Sequence, residues 1–139
     1  ALPISGNVVG DSAGAGILQV SESATLTGDI GAAALERVQI VLAMCFKRLP
    51  PQQVFDMASS HAWNNGAPNT CSSLAMQAWN AGEWELGCRR MSLSDAGKPV
   101  WSSVRTGRML PNGKPEMRFV QGLANRRADE TQNCLEGLS

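Results

Sequence analysis

The hydrophobic residues between Asp29 and Pro50 recur every three or four positions, which is helical spacing. Asp29 can cap the start of this helix, and Pro50 would stop it. The stretch 38–46 is apolar on almost every side, which is typical of a helix that other elements cover all round. The pattern therefore predicts a core helix over residues 30–49 with these apolar positions: Leu35, Val38, Leu42, Cys45 and Leu49.

Two shorter helices are predicted after this core helix. Pro51 suits the first turn of one of them, and an Asn-Asn-Gly turn ends it. After that turn, Asn69 or Thr70 can cap a third helix, which opens at Cys71 and closes at Gly82. Three helices are thus predicted by residue 82.

From Glu83 onward the pattern changes to that of β-strands. Segments with aromatic, β-branched and alternating apolar residues predict three strands: 84–93, 100–110 and 116–124. The Asn112–Gly113 pair between the last two segments is a hairpin signal. The polar end of the chain, 125–139, predicts one short helical turn that brings Cys134 back to the body.

The N-terminal end is predicted to be an extended, glycine-rich arm over about residues 1–16, followed by a strand at 17–26. The pattern as a whole indicates an α+β fold: about three helices packed on a small antiparallel sheet, disulfide-linked. At 139 residues the chain fits a single domain, 1–139. Its longest apolar run is far shorter than the roughly 20 residues that cross a bilayer, so we expect no transmembrane segment.

Four cysteines without a C-x2-C pair predict two disulfides and no zinc site. A helix that opens at Cys71 climbs roughly 15 Å, and a strand from Trp84 to Cys88 descends roughly 13 Å. This geometry predicts the pair Cys71–Cys88 and, by elimination, the pair Cys45–Cys134. The opening ALPISGN is typical of a processed N-terminus, so we expect a secreted or periplasmic protein whose signal peptide has been removed.

A second interpretation makes Cys71 a nucleophile. The segment NTCSSLAMQAW resembles the nucleophile helix of papain-like and NlpC-type cysteine hydrolases, in which a cysteine opens a buried helix. A helix N-terminus and a nearby imidazole both favour the thiolate. The resemblance implies Cys71 as nucleophile and His61, the only histidine, as its base, although His61 stands upstream of the cysteine and not downstream as in those enzymes.

Two further short resemblances involve the ends of the chain. Gly10, Ser12 and Gly14 match G-x-S-x-G and resemble the nucleophile elbow of hormone-sensitive-lipase-type esterases, but the eleven residues before Ser12 are too few for the strands that this fold requires. We therefore interpret the motif as part of the arm. The stretches NTCSSL and QNCLEGLS resemble the globular domain of type IVb pilins, which implies an assembly subunit.

The net charge of zero hides an asymmetry along the chain. Residues 1–36 hold four acids and no base, whereas residues 89–127 hold nine bases and two acids. Trp101 and Phe119 are interleaved with the bases, and alternation is expected to turn both toward the core. No nucleic-acid recognition motif accompanies them, so we expect no nucleic acid and instead a protein partner with an acidic surface. The bases predicted to bind this partner are Arg89, Arg90, Arg105, Arg108 and Arg118.

The sequence therefore favours a binding protein over an enzyme: an exported inhibitor, immunity protein, effector or assembly (pilus) subunit that acts through a basic face. No cofactor and no metal are expected. The alternative is a small cysteine hydrolase with Cys71 as nucleophile and His61 as base. Trp63 and Trp79 flank the turn before Cys71 and are interpreted as core anchors, although tryptophans can also stack on sugars.

Overall fold

The computed structural model describes the backbone of residues 7–8, 18–19 and 28–138, and the side chains of residues 33–138. Within these residues there are six helices and two antiparallel strand pairs, which confirms the predicted α+β class. The helices are α1 (Gly28–Cys45), α2 (Gln52–Asn65), α3 (Ala67–Cys71), α4 (Leu74–Asn80), α5 (Trp84–Arg90) and α6 (Gln121–Glu136). The strands are β1 (Asn7–Val8), β2 (Leu18–Gln19), β3 (Ser103–Met109) and β4 (Pro115–Phe119).

Helix α1 is the predicted core helix, but only one of its faces is covered. Leu35, Gln39 and Leu42 are buried and follow one another at helical spacing. Val41 and Met44 are 43% and 76% exposed, so the prediction of a helix covered on all sides is wrong. Among the described elements α1 packs mainly on α2 and α3, and these two helices cover less surface than its apolar run offers.

Helix α1 ends at Cys45, before the predicted end at Leu49. The Asn80 side chain caps it from the end of α4: its amide donates to the Cys45 carbonyl at 2.9 Å, and its oxygen accepts the Lys47 N–H at 2.7 Å. A side chain from a distant helix thus satisfies backbone groups that another helical turn would otherwise satisfy. The local sequence carries no signal of this contact.

A break between α3 and α4 corrects the predicted third helix. Gly66, with φ of 88°, ends α2 as the sequence predicts. Helix α3 then closes at Cys71, and α4 begins after Ser73, whose hydroxyl accepts the Met76 N–H at 3.2 Å. Cys71 therefore ends a short helix and does not open one, so it lacks the stabilisation of a thiolate by a helix N-terminus.

The hydrophobic core contains residues from all six helices, including Leu42, Val54, Ala67, Trp79, Cys88 and Cys134. The Phe46 ring packs against Phe55 and Trp79, with ring centroids 6.2 and 5.6 Å apart. Trp79 is fully buried and is a core anchor, as predicted. Trp63 is 40% exposed, so its prediction as a core anchor is wrong.

Two segments are helical where the sequence predicts other structure. Helix α5 occupies most of the predicted strand 84–93, and α6 replaces the end of the strand 116–124 and the short C-terminal turn. Gly87 permits the close packing of α5, because a Cβ at this position would lie 2.2 Å from Trp79 Cδ1. Packing on the indole thus outweighs the strand-like composition of this segment.

All four cysteines form disulfides, as predicted, but the predicted pairing is wrong. Cys45 is bonded to Cys71 and Cys88 to Cys134, with Cα atoms 5.6 and 5.7 Å apart. The predicted pairing requires an extended strand from Trp84 to Cys88. That segment is α5, which packs against α6 and so brings Cys88 to Cys134.

The hairpin predicted from Asn112–Gly113 is confirmed, because β3 and β4 pair antiparallel around it. Gly113 has φ of 83°, a conformation that glycine adopts without strain. The turn is closed by the Leu110 N–H, which donates to the Lys114 carbonyl at 2.7 Å. The Lys114 N–H in turn donates to the Asn112 side chain at 3.0 Å.

The predicted arm 1–16 and strand 17–26 lie outside the described residues, apart from the paired strands β1 and β2. The motif at Gly10, Ser12 and Gly14 lies outside them as well. None of the helices in the described part of the chain is long and apolar enough to span a membrane.

Candidate functional site

Polar and charged side chains lie where α2 packs against α6. Arg127 and Glu130 are the buried charged residues among residues 33–138. Each helix contributes residues three or four positions apart, which share one helical face. We call this group the α2–α6 polar seam and define it by Ser60, His61, Asn64, Arg126, Arg127 and Glu130.

The centre of the seam is a buried ion pair. The side chains of Arg127 and Glu130 are 1% and 4% exposed, and Arg127 Nε lies 2.7 Å from Glu130 Oε1. That Nε–H is not aligned for a hydrogen bond, whereas Arg127 Nη2 donates to Glu130 Oε2 at 3.1 Å. The Ser60 hydroxyl donates to the same carboxylate from α2. The pair therefore connects the two helices through hydrogen bonds and charge together.

Burial raises the pKa of the Glu130 carboxyl, and the Ser60 hydrogen bond and the Arg127 charge lower it in part. The effect of desolvation on this pKa thus outweighs the opposing effects of Ser60 and Arg127, as expected for a carboxyl group inside a helix interface. Ser60 and Arg127 Nη2 both donate to Oε2, and Oε1 lies 2.7 Å from Arg127 Nε. Glu130 is consequently suited to holding α6 in place and poorly suited to proton transfer with a substrate.

His61 is fully buried beside the ion pair. Its Nδ1 lies 2.8 Å from Thr70 Oγ1, and its ring meets the edge of Trp101 at a centroid distance of 4.8 Å. Burial and the charge of Arg127 lower the pKa of His61 to about 3, so the imidazole is neutral near pH 7. Trp101 has φ of 57°, in the left-handed region that bulky residues rarely adopt, and it occupies this conformation in contact with His61.

The seam reaches the surface at Asn64 and Arg126. The Arg126 guanidinium donates to Asn64 Oδ1, and the Asn64 amide donates to the Ser60 carbonyl at 2.9 Å. The exposed Trp63 precedes Asn64 on α2. Planar hydrogen-bonding groups and an exposed indole are typical of surfaces that bind polar organic ligands such as sugars. Among the described residues no cluster of three or more histidine, cysteine or acidic side chains could hold a metal ion.

The predicted dyad of Cys71 and His61 does not form. The Cys71 sulfur is bonded to Cys45, and the hydrogen-bond partner of His61 Nδ1 is Thr70. A disulfide sulfur carries no thiolate, and a neutral imidazole with a pKa near 3 is a weak base. The alternative prediction of a cysteine nucleophile is therefore wrong.

The predicted arginines of α5 are engaged within the protein. Arg90 donates to both Asp95 oxygens at 2.9 Å and to the Leu74 carbonyl at 3.1 Å. Hydrogen bonds within this pair raise the pKa of Arg90 and lower that of Asp95. Arg89 lies 3.7 Å from Glu85 in an exposed pair. Arg90 thus holds the loop after α5 in place, and its guanidinium has few N–H groups left to bind a partner.

The predicted arginines of the hairpin do not share one face. Arg118 faces Val104, and Arg105 faces Met117, at adjacent positions of the register. Adjacent residues of a strand point to opposite sides, so Arg105 and Arg118 do as well. Arg108 lies where the register shifts. Phe119 is 49% exposed, so the prediction that it turns toward the core is wrong.

Sequence reasoning missed the seam because its buried side chains are polar. Arg127, Glu130 and Cys134 follow one another by three and four residues, which is the spacing of one helical face. On α2, Ser60 and Asn64 are four residues apart. These spacings were available as a signal, but a search for hydrophobic periodicity passes over them.

Two solved structures resemble this fold. The muramidase domain of SpmX from Asticaccaulis excentricus has a TM-score of 0.56 and 21% identity, over 78% of this chain and 68% of that chain. The endolysin from Escherichia coli O157:H7 phage FAHEc1 has a TM-score of 0.62 and 21% identity, over 98% of this chain and 85% of that chain. No protein-family model and no curated protein matches the sequence. The chain therefore shares its fold with these two proteins.

These likenesses correct the predicted function. The prediction of an inhibitor, immunity protein, effector or pilus subunit that acts through a basic face is wrong, because the fold is that of a muramidase domain and an endolysin. The prediction of a cysteine hydrolase is wrong for the same reason and because of the Cys45–Cys71 disulfide. The fold and the two disulfides are compatible with an extracellular or periplasmic location.

Proposed function

We propose that this chain is a peptidoglycan hydrolase of the muramidase class that acts in the periplasm or after secretion. The observation that carries the proposal is the likeness to the phage endolysin, which extends over 98% of the chain with a TM-score of 0.62. The muramidase domain of SpmX supports the same assignment. Two disulfides suit an oxidising compartment, where cell-wall glycan is found.

Hydrolysis of a glycosidic bond requires two carboxyl groups: an acid that protonates the leaving oxygen, and a carboxylate that acts as base or nucleophile. Glu130 is committed to Arg127 and Ser60 in the buried seam. In the described part, Asp56 is half-buried, and burial raises the pKa of its carboxyl although a hydrogen bond from Gln52 lowers it. A raised pKa suits a general acid. The other candidates for this acid have undescribed side chains: Asp11, Glu22 and Asp29.

The α2–α6 polar seam has a positioning role in this proposal. The Arg127–Glu130 pair and its hydrogen bond from Ser60 hold α6 against α2 from the inside. Asn64 and Arg126 then meet at the surface in a defined arrangement. Their amide and guanidinium groups offer the directional hydrogen bonds that the hydroxyl and acetamido groups of an amino sugar require.

Purified sacculi with a covalently attached dye provide the test. The oxidised protein should release soluble dye, whereas reduced and alkylated protein should not, because the fold depends on its cross-links. The amide variants Asp11→Asn, Glu22→Gln, Asp29→Asn and Asp56→Asn are then compared with the exposed control Glu83→Gln. At least one of the four should abolish release, and the control should not. Oxidised, folded protein that releases no dye would show that the proposal is wrong.

A further inference from the structure

Three large apolar side chains share one exposed face of the β3–β4 hairpin. Met117 faces Arg105 across the hairpin, and Phe119 follows two residues later on β4. Met109 faces Pro115, which precedes Met117 by two residues. Facing residues, and alternate residues of one strand, point to the same side of a sheet. We call Arg105, Met109, Met117 and Phe119 the hairpin stripe.

The apolar members of the hairpin stripe are unusually open to solvent. Met109, Met117 and Phe119 are 65%, 51% and 49% exposed, and Leu110 beside the turn is 41% exposed. Single exposed apolar residues are common, but several on one face mark a surface that contacts a membrane or a protein partner.

The same hairpin carries an excess of positive charge. Residues 103–119 contain four bases and one acid, Glu116, which accepts a hydrogen bond from Thr106 at 3.1 Å. None of the four bases forms an ion pair with a residue in the described part of the chain. The bases are Arg105, Arg108, Lys114 and Arg118.

We propose that the β3–β4 hairpin docks on a membrane surface that contains anionic phospholipids. A water-soluble polyanion would neutralise the bases but would leave the apolar side chains of the stripe in water. A flat protein surface would cover one face of the hairpin, whereas Arg105 and Arg118 place charge on opposite faces. Headgroups surround an inserted element on every side, so phosphates reach both faces while the stripe enters the interfacial region.

The docking inference goes beyond the proposed hydrolysis and does not depend on it. The hairpin contains no residue of the α2–α6 polar seam, and binding to lipid vesicles is measured without glycan. Docking would hold the domain at a bilayer surface through an element distinct from the seam.

Sedimentation with lipid vesicles tests the proposal on the oxidised chain. Vesicles of phosphatidylcholine alone are compared with vesicles that also contain phosphatidylglycerol, at low and high salt. We expect the parent to bind the anionic vesicles, to bind them more weakly as salt rises, and to leave the neutral vesicles unbound. An absence of binding to the anionic vesicles at low salt would overturn the proposal.

Two hairpin variants separate charge from apolar contact. Arg105→Gln with Arg118→Gln should weaken binding to anionic vesicles by about tenfold or more, since each base near such a surface adds to the affinity. Met109→Thr, Met117→Thr and Phe119→Thr together should weaken it to a similar extent while keeping residues that favour strands. The hairpin side chains are exposed, so both variants should unfold at nearly the temperature of the parent.

Matched controls change the same chemistry elsewhere. Arg37→Gln with Arg89→Gln removes two exposed bases outside the hairpin. Val41→Gln, Met44→Gln and Leu74→Gln remove exposed apolar side chains from α1 and α4. Controls should bind within about twofold of the parent. Equal losses of binding in the control and hairpin variants would show general electrostatic attraction. A stripe variant that binds as the parent does would show a polyanion site. Either result would overturn the lipid assignment.

Discussion

At the scale of single residues, two helical glycines lie in opposite surroundings. An added Cβ at Gly87 of α5 would lie 2.2 Å from Trp79 Cδ1, whereas one at Gly122 of α6 would meet nothing within 4 Å. The same substitution should therefore have opposite consequences at the two positions, because one site is filled by an indole and the other is open.

Gly87→Ala should lower the free energy of unfolding by roughly 1 to 3 kcal/mol, as overpacking of a core does. Gly122→Ala should leave it unchanged or raise it by up to about 1 kcal/mol, because alanine favours helix over glycine. Urea unfolding of the two variants checks the pair. Equal, small effects would mean that α5 does not pack directly on the Trp79 indole.

The buried His61 predicts a loss of stability in acid. Its pKa is about 3 in the folded protein against the ordinary 6.5 of a solvated histidine, so the unfolded chain binds this proton more readily between these two pH values. Stability should therefore fall as pH is lowered through this window, by about 3 kcal/mol between pH 6.5 and pH 4 from His61 alone. The raised pKa of Glu130 acts in the opposite direction, because its protonated form is favoured in the folded state.

The variant His61→Gln isolates the histidine contribution. Its unfolding free energy, measured with urea from pH 7 to pH 4, should decline less steeply than that of the parent, since the titrating group is gone and the other groups remain. Parallel pH profiles for parent and variant would contradict a neutral, buried His61.

At the scale of elements, the Arg127–Glu130 pair predicts how α6 is held on α2. Arg127→Met should lower the free energy of unfolding by about 3 to 5 kcal/mol, because it leaves a buried carboxylate without its cation. Arg126→Met, at the exposed neighbouring position, should cost less than about 1 kcal/mol. Arg127→Met with Glu130→Leu should recover much of the loss, since no unpaired charge remains. A double variant as unstable as Arg127→Met would mean that the pair acts through packing.

The two disulfides differ in exposure and should therefore differ in reactivity. Cys88 and Cys134 are fully buried, whereas Cys45 and Cys71 are partly exposed. Mild reduction followed by alkylation and peptide mapping should label Cys45 and Cys71 first. Simultaneous labelling of all four cysteines, or a native peptide that joins Cys71 to Cys88, would contradict the structure.

Removal of either disulfide by paired serine substitutions should destabilise the fold. The pairs span 26 and 46 residues, and the chain-entropy model assigns such loops about 3 to 4 kcal/mol. Thermal unfolding measures both losses of stability, in one variant with Cys45→Ser and Cys71→Ser and in a second variant with Cys88→Ser and Cys134→Ser. Melting temperatures unchanged from that of the parent would contradict the prediction.

Elements with a local signal could be predicted from the sequence, and elements fixed by distant contacts could not. The apolar run around Leu42 predicts a helix and the Asn112–Gly113 pair predicts a hairpin, each from neighbouring residues alone. Both elements are present. Helix α5 depends on the contact between Gly87 and Trp79, which no local pattern shows. Helix α6 buries charged residues, so hydrophobic periodicity passes over it.

At the scale of the whole molecule, composition predicts the disulfides but not the proposed hydrolysis. An even number of cysteines without metal-ligand spacing predicted two disulfides. The excess of bases in residues 89–127 suggested one binding face, but folding separates them: Arg90 is bound to Asp95, and Arg105 and Arg118 lie on opposite sides of the hairpin. Function resides in a site on a fold, and a likeness at 21% identity shows the fold alone. A single domain over 1–139 stays a prediction.

The central proposal is that this protein cleaves the glycan strand of peptidoglycan. Mass spectrometry of fragments released from purified sacculi tests it most directly, because hydrolysis adds one water at each cut and leaves a reducing muramic acid end. We expect the oxidised protein to release such fragments, each of which borohydride can reduce, and the inactive acid variant to release none. Fragments cut in the peptide stems, glycan fragments without the added water, or intact strands would contradict the account.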